Sequence, residues 1–301
     1  MSTASVPARA GMSAADVELL ESALLAHGWA PGLCQHDART ESCAWYHGAW
    51  QTLRMLGLMS TSGVNAAHYA AELARSRHDP SFRRVLVTGS ADYAMLKLIA
   101  DSRDPSDAPL TYVVLDRCAT PLRICEWYAQ RHGLHLETLH QDVLDPLPEA
   151  AFDAVYTHAF MGNFDADDRQ RLVRQWARVL RPGGRVVTVQ RVRDDYPGDI
   201  VSFSDAEAEA FVARVAELAP ALLPPAAAGL DVVAMAREHA RRFRALPVRS
   251  ADRLRGLFED ARFRLDRFER SAPDGPAGVT GPSVPNTAGH YLITAERLAA
   301  E

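Results

Sequence analysis

At 301 residues, 48% hydrophobic and 24% charged, the chain is long enough for one sizeable core with helical additions and has the balance of an ordinary globular protein. A net charge of −5 offers no basic excess for nucleic acid, and no apolar run reaches membrane-spanning length. The expected partner is a small molecule in a cytoplasmic setting, with no nucleic acid and no membrane; "MSTASVPARAGMS" has no signal-peptide core.

Lys97 is the single lysine, which all but removes Schiff-base chemistry. Cys34, Cys43, Cys118 and Cys125 contain no C-x-x-C pair, so neither a zinc ribbon nor a redox motif is indicated, no metal is expected, and a disulfide framework is not expected at this size.

In chain order, "AADVELLESALLAHG" and "AAHYAAELARSRH" repeat apolar residues at spacings of three and four, which predicts a helical N-terminal lobe over residues 1–78. Between them lies "CAWYHGAWQTLRMLGLMSTSGVN", where Tyr46, Trp50 and Arg54 stand four apart and share one helix face. From Arg84 the pattern changes to short β-branched runs: "RVLVTG", "TYVVLD", "LHLETLHQD", "FDAVYTHA" and "GRVVTVQRV". Strands alternating with helical segments of about a dozen residues predict parallel βαβ crossovers. The segment "DADDRQRLVRQWARVL" reads as a helix that Pro182 stops, with Gly183 and Gly184 turning into the fifth strand.

About seventy residues separate that strand from the next, far more than an ordinary crossover. Most read as helix: "SDAEAEAFVARVAELA" with a Ser204 cap, then "LDVVAMAREHARRFRAL" after the loop "LPPAAAG". A lid inserted over about 195–260 is one reading, and a helical pair forming a homodimer is the other. The basic stretch "REHARRFRALPVR" suits either an acidic substrate or solvated surface. Last come "RFRLDRFER" and "GHYLITAE", a closing pair of strands. The fold expected is α/β: a Rossmann-like, doubly wound, mostly parallel seven-stranded sheet with helices on both faces, the N-terminal lobe, and the helical insertion after strand five. The second domain is placed at 79–301.

In such a sheet the ligand crevice lies beyond the C-terminal ends of the strands, where the strand order reverses. Strand one ends at Gly89, followed by Ser90, Ala91, Asp92 and Tyr93 in place of further glycines. Strand two ends in Asp116, a carboxylate at the spacing that suits the two hydroxyls of a ribose. Strand three ends in "QDVLD", with Asp142 and Val143, and strand four in His158, Ala159 and Phe160.

Taken together, "VLVTGSADY", "VVLDR", "QDVLD", "FDAVYTHAF" and "VLRPGGRVVTV" resemble the class I S-adenosylmethionine-dependent methyltransferases over roughly 83–192. The resemblance implies that Gly89, Ser90, Ala91, Asp92 and Tyr93 form the loop under the methionine part of S-adenosylmethionine and that Asp116 holds its ribose. It implies further that Arg117, Asp142 and Val143 flank the adenine, and that His158, Ala159 and Phe160 line the crevice. The departure is the missing glycines. A ligand without a pyrophosphate tolerates Ser and Ala there, which argues against a dinucleotide. A sulfonium is a cation that aromatic faces and carboxylates stabilise, which draws attention to Tyr93 and Asp92, and to Tyr156, Phe160 and Phe164.

The activated methyl group needs chiefly an aligned nucleophile and exclusion of water. Candidate catalytic residues are His158, Tyr46 and His47 as bases and Asn163 as an orienting group, although Asn163 also suits a helix cap. The helix bearing Tyr46 and Arg54 either closes over the crevice, with Tyr46 near the sulfonium and Arg54 on a carboxylate, or packs structurally. The expected function is methyl transfer to oxygen or nitrogen of a small molecule. The alternatives are ring closure or aminocarboxypropyl transfer releasing methylthioadenosine, and a non-catalytic member of the fold.

Overall fold

The computed structural model describes residues 11–34, 41–76, 79–104, 106–194, 196–271 and 289–299. The boundary placed at residue 78 and the insertion start at 195 lie outside the described residues.

The chain begins with helices α1 (Ala14–Leu33), α2 (Ala44–Met55) and α3 (Ala66–Arg75). Strands and helices then alternate: β1 (Arg84–Thr88), α4 (Ala94–Asp101), β2 (Thr111–Asp116), α5 (Ala119–His132), β3 (Leu136–His140), β4 (Phe152–His158), α6 (Ala166–Val179) and β5 (Leu180–Val192). Three helices follow, α7 (Asp205–Leu222), α8 (Val232–Arg242) and α9 (Ala251–Asp260), and then β6 (Phe263–Ser271) and β7 (Gly289–Arg297).

The seven strands form one sheet in the order β3-β2-β1-β4-β5-β7-β6. Pairing is parallel from β3 through β5, while β7 runs antiparallel to both β5 and β6. The inner strands are apolar without alternation because both their faces are covered. Val85, Leu86 and Val87 of β1 are all but inaccessible. On one face Leu172 and Trp176 of α6 and Leu254 and Phe258 of α9 pack with Val155, Val186 and Ile293. On the other, Tyr69 of α3 approaches Tyr156 of β4, ring centroids 6.5 Å apart. This is the doubly wound sheet that the alternating runs predict.

The Pro182 region differs from the expectation. Helix α6 ends at Val179, and β5 begins at once with Leu180 paired to Phe152, so Pro182, Gly183 and Gly184 lie inside the strand. The register slips between Phe152 and Ala154, and a slip of this kind is where a strand accommodates proline. Beside it, buried Asp153 accepts hydrogen bonds from the N–H groups of Arg83 and Arg84 (2.8 Å for Arg84) and pairs with Nε of Arg181 at 2.9 Å.

The described residues divide into two compact units, one of 11–34, 41–60 and 202–244, the other holding the sheet, α3–α6 and α9. Helix α3, within the N-terminal stretch of the sequence, therefore belongs with the sheet. The helical unit packs α1 on α2, α2 on α8 and α7 on α8. Its core contains Ala49, Leu53, Phe211, Val215 and Ala236. A capping box between Ser13 and Asp16 starts α1, and the expected Ser204 cap starts α7 with Glu207 as its reciprocal partner. Gly48 lets α2 approach α1, since a Cβ there would lie 3.3 Å from that of Ala30. His239 of α8 sits among Trp45, Tyr46, Phe203, Phe211 and Phe243, with centroids 5.7–6.3 Å away.

Candidate functional site

The strand order reverses between β1 and β4, so the C-terminal ends of β1, β2 and β4 face one crevice position. The turn after β1 depends on Gly89. Its φ is +70°, and a Cβ built there would lie 2.2 Å from the Phe160 ring. Only glycine accepts both the left-handed backbone and that contact. The buried Thr88 hydroxyl, immediately before the turn, has no hydrogen-bond partner among the described residues.

Asp116, the last residue of β2, ties this turn to its own strand. One carboxylate oxygen accepts the Ser90 N–H at 3.0 Å and the other accepts the Cys118 N–H at 2.8 Å. Two backbone donors orient the carboxylate at the strand end. On the neighbouring strand end, Asp142 accepts the Leu144 N–H at 2.9 Å and Val143 is buried. The Arg117 side chain is exposed, and its carbonyl oxygen lies 3.2 Å from Nε2 of His140. Gly89, Ser90 and Asp116 thus meet at one turn, and Asp142 follows the end of β3, the strand beside β2.

The rest of the loop turns inward. Asp92 is buried, and its carboxylate accepts the Ala94 N–H at 2.7 Å at the start of α4. The Tyr93 ring is 2% exposed and stacks on Tyr128 of α5, with centroids 4.5 Å apart and planes 9° apart. In this arrangement the Tyr93 ring lies in the α4–α5 packing and the Asp92 carboxylate at the start of α4. Tyr156 likewise points into packing.

At the end of β4, Ala159 adopts φ +51°, a left-handed conformation that a non-glycine residue holds at a cost of about 1–2 kcal/mol. It redirects the chain into a 3-10 turn, Phe160–Asn163, and brings Phe160 onto Gly89 and within 4.9 Å of the Phe164 ring. Asn163 is not the helix cap. Its Nδ2 donates to the Phe160 carbonyl at 3.0 Å, whereas Asp165 caps α6 through the Asp168 N–H.

His158 is partnered by a residue that sequence reasoning passed over. The Tyr69 O–H donates to the Thr157 carbonyl at 2.8 Å, so Nδ1 of His158, 3.0 Å from the same oxygen, carries the proton and donates to it. Nε2 is then the lone-pair nitrogen, buried and without a hydrogen-bond partner among the described residues. Burial, reinforced by Arg191, His290 and His68, pushes the His158 pKa down to about 3. A base that weak takes little of a proton at neutral pH, so His158 stands as a neutral, positioned side chain. His68, also buried, receives Nη1 of Arg267 on its Nδ1 at 3.3 Å. The one sequence signal for this cluster was polar residues inside otherwise apolar strands, Arg191 and His290, which pair across β5 and β7.

Tyr46 and Arg54 belong to the helical unit. Tyr46 and Trp50 share a face as their spacing predicts, with ring centroids 5.1 Å apart.

The sheet-end residues fit an adenosyl group. An oriented carboxylate at the end of a strand suits a diol, and the turn at Gly89 presents backbone. Residues 94–188 match the family model described as "Methyltransferase domain". No curated protein matches the chain. Among solved structures, the cyclase SpnF is similar at 14% identity over 94% of each chain, with a TM-score of 0.51. A possible exported protein from Bordetella parapertussis shares 16% identity over 95% of this chain and 98% of its own, with a TM-score of 0.51. Geranyl diphosphate methyltransferase, solved with GPP and sinefungin, shares 13% identity over 77% of this chain and 78% of its own, with a TM-score of 0.50. At these identities the structures speak for the fold, and the domain match speaks for residues 94–188. Residues 94–188 are thus similar to a methyltransferase domain, and the mostly parallel seven-stranded sheet that carries them is Rossmann-like.

Proposed function

We propose that the protein binds S-adenosylmethionine at the C-terminal ends of β1, β2 and β3 and transfers its methyl group to an oxygen or nitrogen of a small molecule. The observation that supports this reading above the others is the Asp116 carboxylate, oriented by the Ser90 and Cys118 amides at the turn where Gly89 is obligatory. When bound, the sulfonium supplies an already activated methyl group. The chain's own tasks are then to bind and to align. Asp116 would accept the ribose hydroxyls, Asp142 and Val143 would flank the base, and Phe160 would present an aromatic wall beside the turn. Proton transfer to His158 is disfavoured by its neutral, buried setting, so the reading suits an acceptor that is already deprotonated or loses its proton to water.

A second reading draws on Phe160, whose ring against Gly89 narrows the space over the turn for a separate acceptor. In it, the aminocarboxypropyl side of the sulfonium reacts and methylthioadenosine is released.

Isothermal titration of the full chain with S-adenosylmethionine tests binding, and Asp116→Ala should abolish it. Incubation with S-adenosylmethionine and cell extract, followed by mass spectrometry of the nucleoside product, separates the two reactions. S-adenosylhomocysteine supports methyl transfer, methylthioadenosine supports the second reading, and no binding at millimolar ligand overturns both.

A further inference from the structure

We propose that the helical unit holds a zinc ion on Cys34, Cys43 and His47. The three residues come from two neighbouring helix ends. Cys34 closes α1, its N–H donating to the Ala30 carbonyl at 2.9 Å. Cys43 is the N-cap residue of α2, and His47 follows four positions later, one turn along the same face. The sulfur of Cys34 lies 3.5 Å from Nδ1 of His47, and the ligand atoms of all three residues lie within 4.8 Å of one another.

The Cys34–His47 separation is the one zinc imposes. With Zn–S near 2.3 Å and Zn–N near 2.0 Å, two ligands at a tetrahedral angle stand about 3.6 Å apart. The donor set also selects the metal. Thiolate and imidazole suit zinc, whereas magnesium and calcium take oxygen ligands. Charge closes as well, since two thiolates neutralise Zn²⁺ and His47 binds as the neutral ring. The assembly can therefore sit where Cys34 is inaccessible and His47 is 7% exposed without leaving a buried net charge. Binding would release the two thiol protons to solvent.

The site would do structural work. It joins the end of α1 to the start of α2 at the corner where Gly48 lets the two helices meet closely. The sequence shows it as C-x8-C-x3-H, a spacing outside the C-x-x-C search that predicted no metal.

The full chain, purified without chelator, should carry about one zinc ion per molecule by inductively coupled plasma mass spectrometry. Replacement with Co²⁺ should give visible d–d bands and a sulfur-to-cobalt charge-transfer band, both bleached by added Zn²⁺. In Cys43→Ser the charge-transfer band should weaken, and in His47→Ala the d–d envelope should shift or vanish. Cys34 and Cys43 should resist a thiol reagent until the metal is stripped. The proposal is overturned if folded wild-type protein takes up neither Zn²⁺ nor Co²⁺ at micromolar concentration. It is overturned equally by an unchanged cobalt spectrum in Cys43→Ser, or by a Cys34–Cys43 disulfide in the unreduced protein. Should a variant fail to fold, the wild-type cobalt spectrum still decides, because sulfur ligation is visible there without any substitution.

Discussion

Gly89 and Phe160 form a lock that can be opened from either side. Gly89→Ala pays for a left-handed alanine, about 1–2 kcal/mol, and for overlap with the Phe160 ring. In a double-mutant cycle with Phe160→Ala, the pair should be less destabilised than the sum of the single variants, because the overlap is removed once and only the backbone cost persists. Additive denaturation midpoints would mean that the ring does not rest on the turn. Asp116→Asn offers a second test. The amide keeps one acceptor but sets an N–H against a backbone N–H, so cofactor affinity should fall about 10–100-fold in titration, in line with loss of a charge-assisted bond worth ~1.5–3 kcal/mol. The positions of Gly89 and Asp116 were legible in the sequence because each terminates an apolar run. Tyr93 and Asp92 were not, since the partner that turns the tyrosine inward, Tyr128, lies on the following helix. Tyr69 escaped notice for the same reason: its contact with His158 spans 89 positions.

Among the elements, α6 and β4 carry the sheet's stability at opposite levels. Trp176 of α6 is fully buried and stacks toward Phe258 of α9 at 6.4 Å, so Trp176→Ala should cost about 3–5 kcal/mol in chemical denaturation. Asp153 acts at the N-terminal ends of the strands, where it satisfies the first amides of β1 and pairs with Arg181. Asp153→Ala should cost about 2–3 kcal/mol, through amides left without an acceptor, yet leave cofactor affinity unchanged because the crevice lies at the other ends. A matching loss of affinity would show that the two ends are coupled. Strand and helix types followed from periodicity, and the Ser204 cap from its local chemistry. The start of β5 did not, because a proline-glycine-glycine run reads locally as a turn, and only its pairing with β4 makes it strand.

For the whole molecule, acid should be the telling condition. His158 in the sheet unit is held to about 3, by burial first and then by Arg191, His290 and His68; His239 in the helical unit is held to about 4 by burial. Unfolding restores the ordinary value of 6.5, so between these limits the unfolded chain binds protons that the folded chain refuses. Stability is full above 6.5 and is lost as the pH falls toward 4 and 3. Melting temperature should therefore drop on acidification, with a shallower slope in His158→Gln and in His239→Phe. A slope unaltered in both would refute the assignment. The sequence could not disclose the helical unit as such, because it joins residues 11–60 to 202–244 across the intervening sheet. Among the described residues, no helix is long and apolar enough to cross a membrane.

Among the described residues, the placement of β7 between β5 and β6 leaves β6 as the final strand on its side of the sheet. That margin is armoured: Arg264, Glu269 and Arg270 are exposed along it. Ion-bearing side chains on an unpaired ladder repel a second ladder and keep such borders from zipping into fibres. Exchanging the three for valine should turn a clear solution turbid on standing, seen by light scattering, while leaving the interior of the sheet untouched.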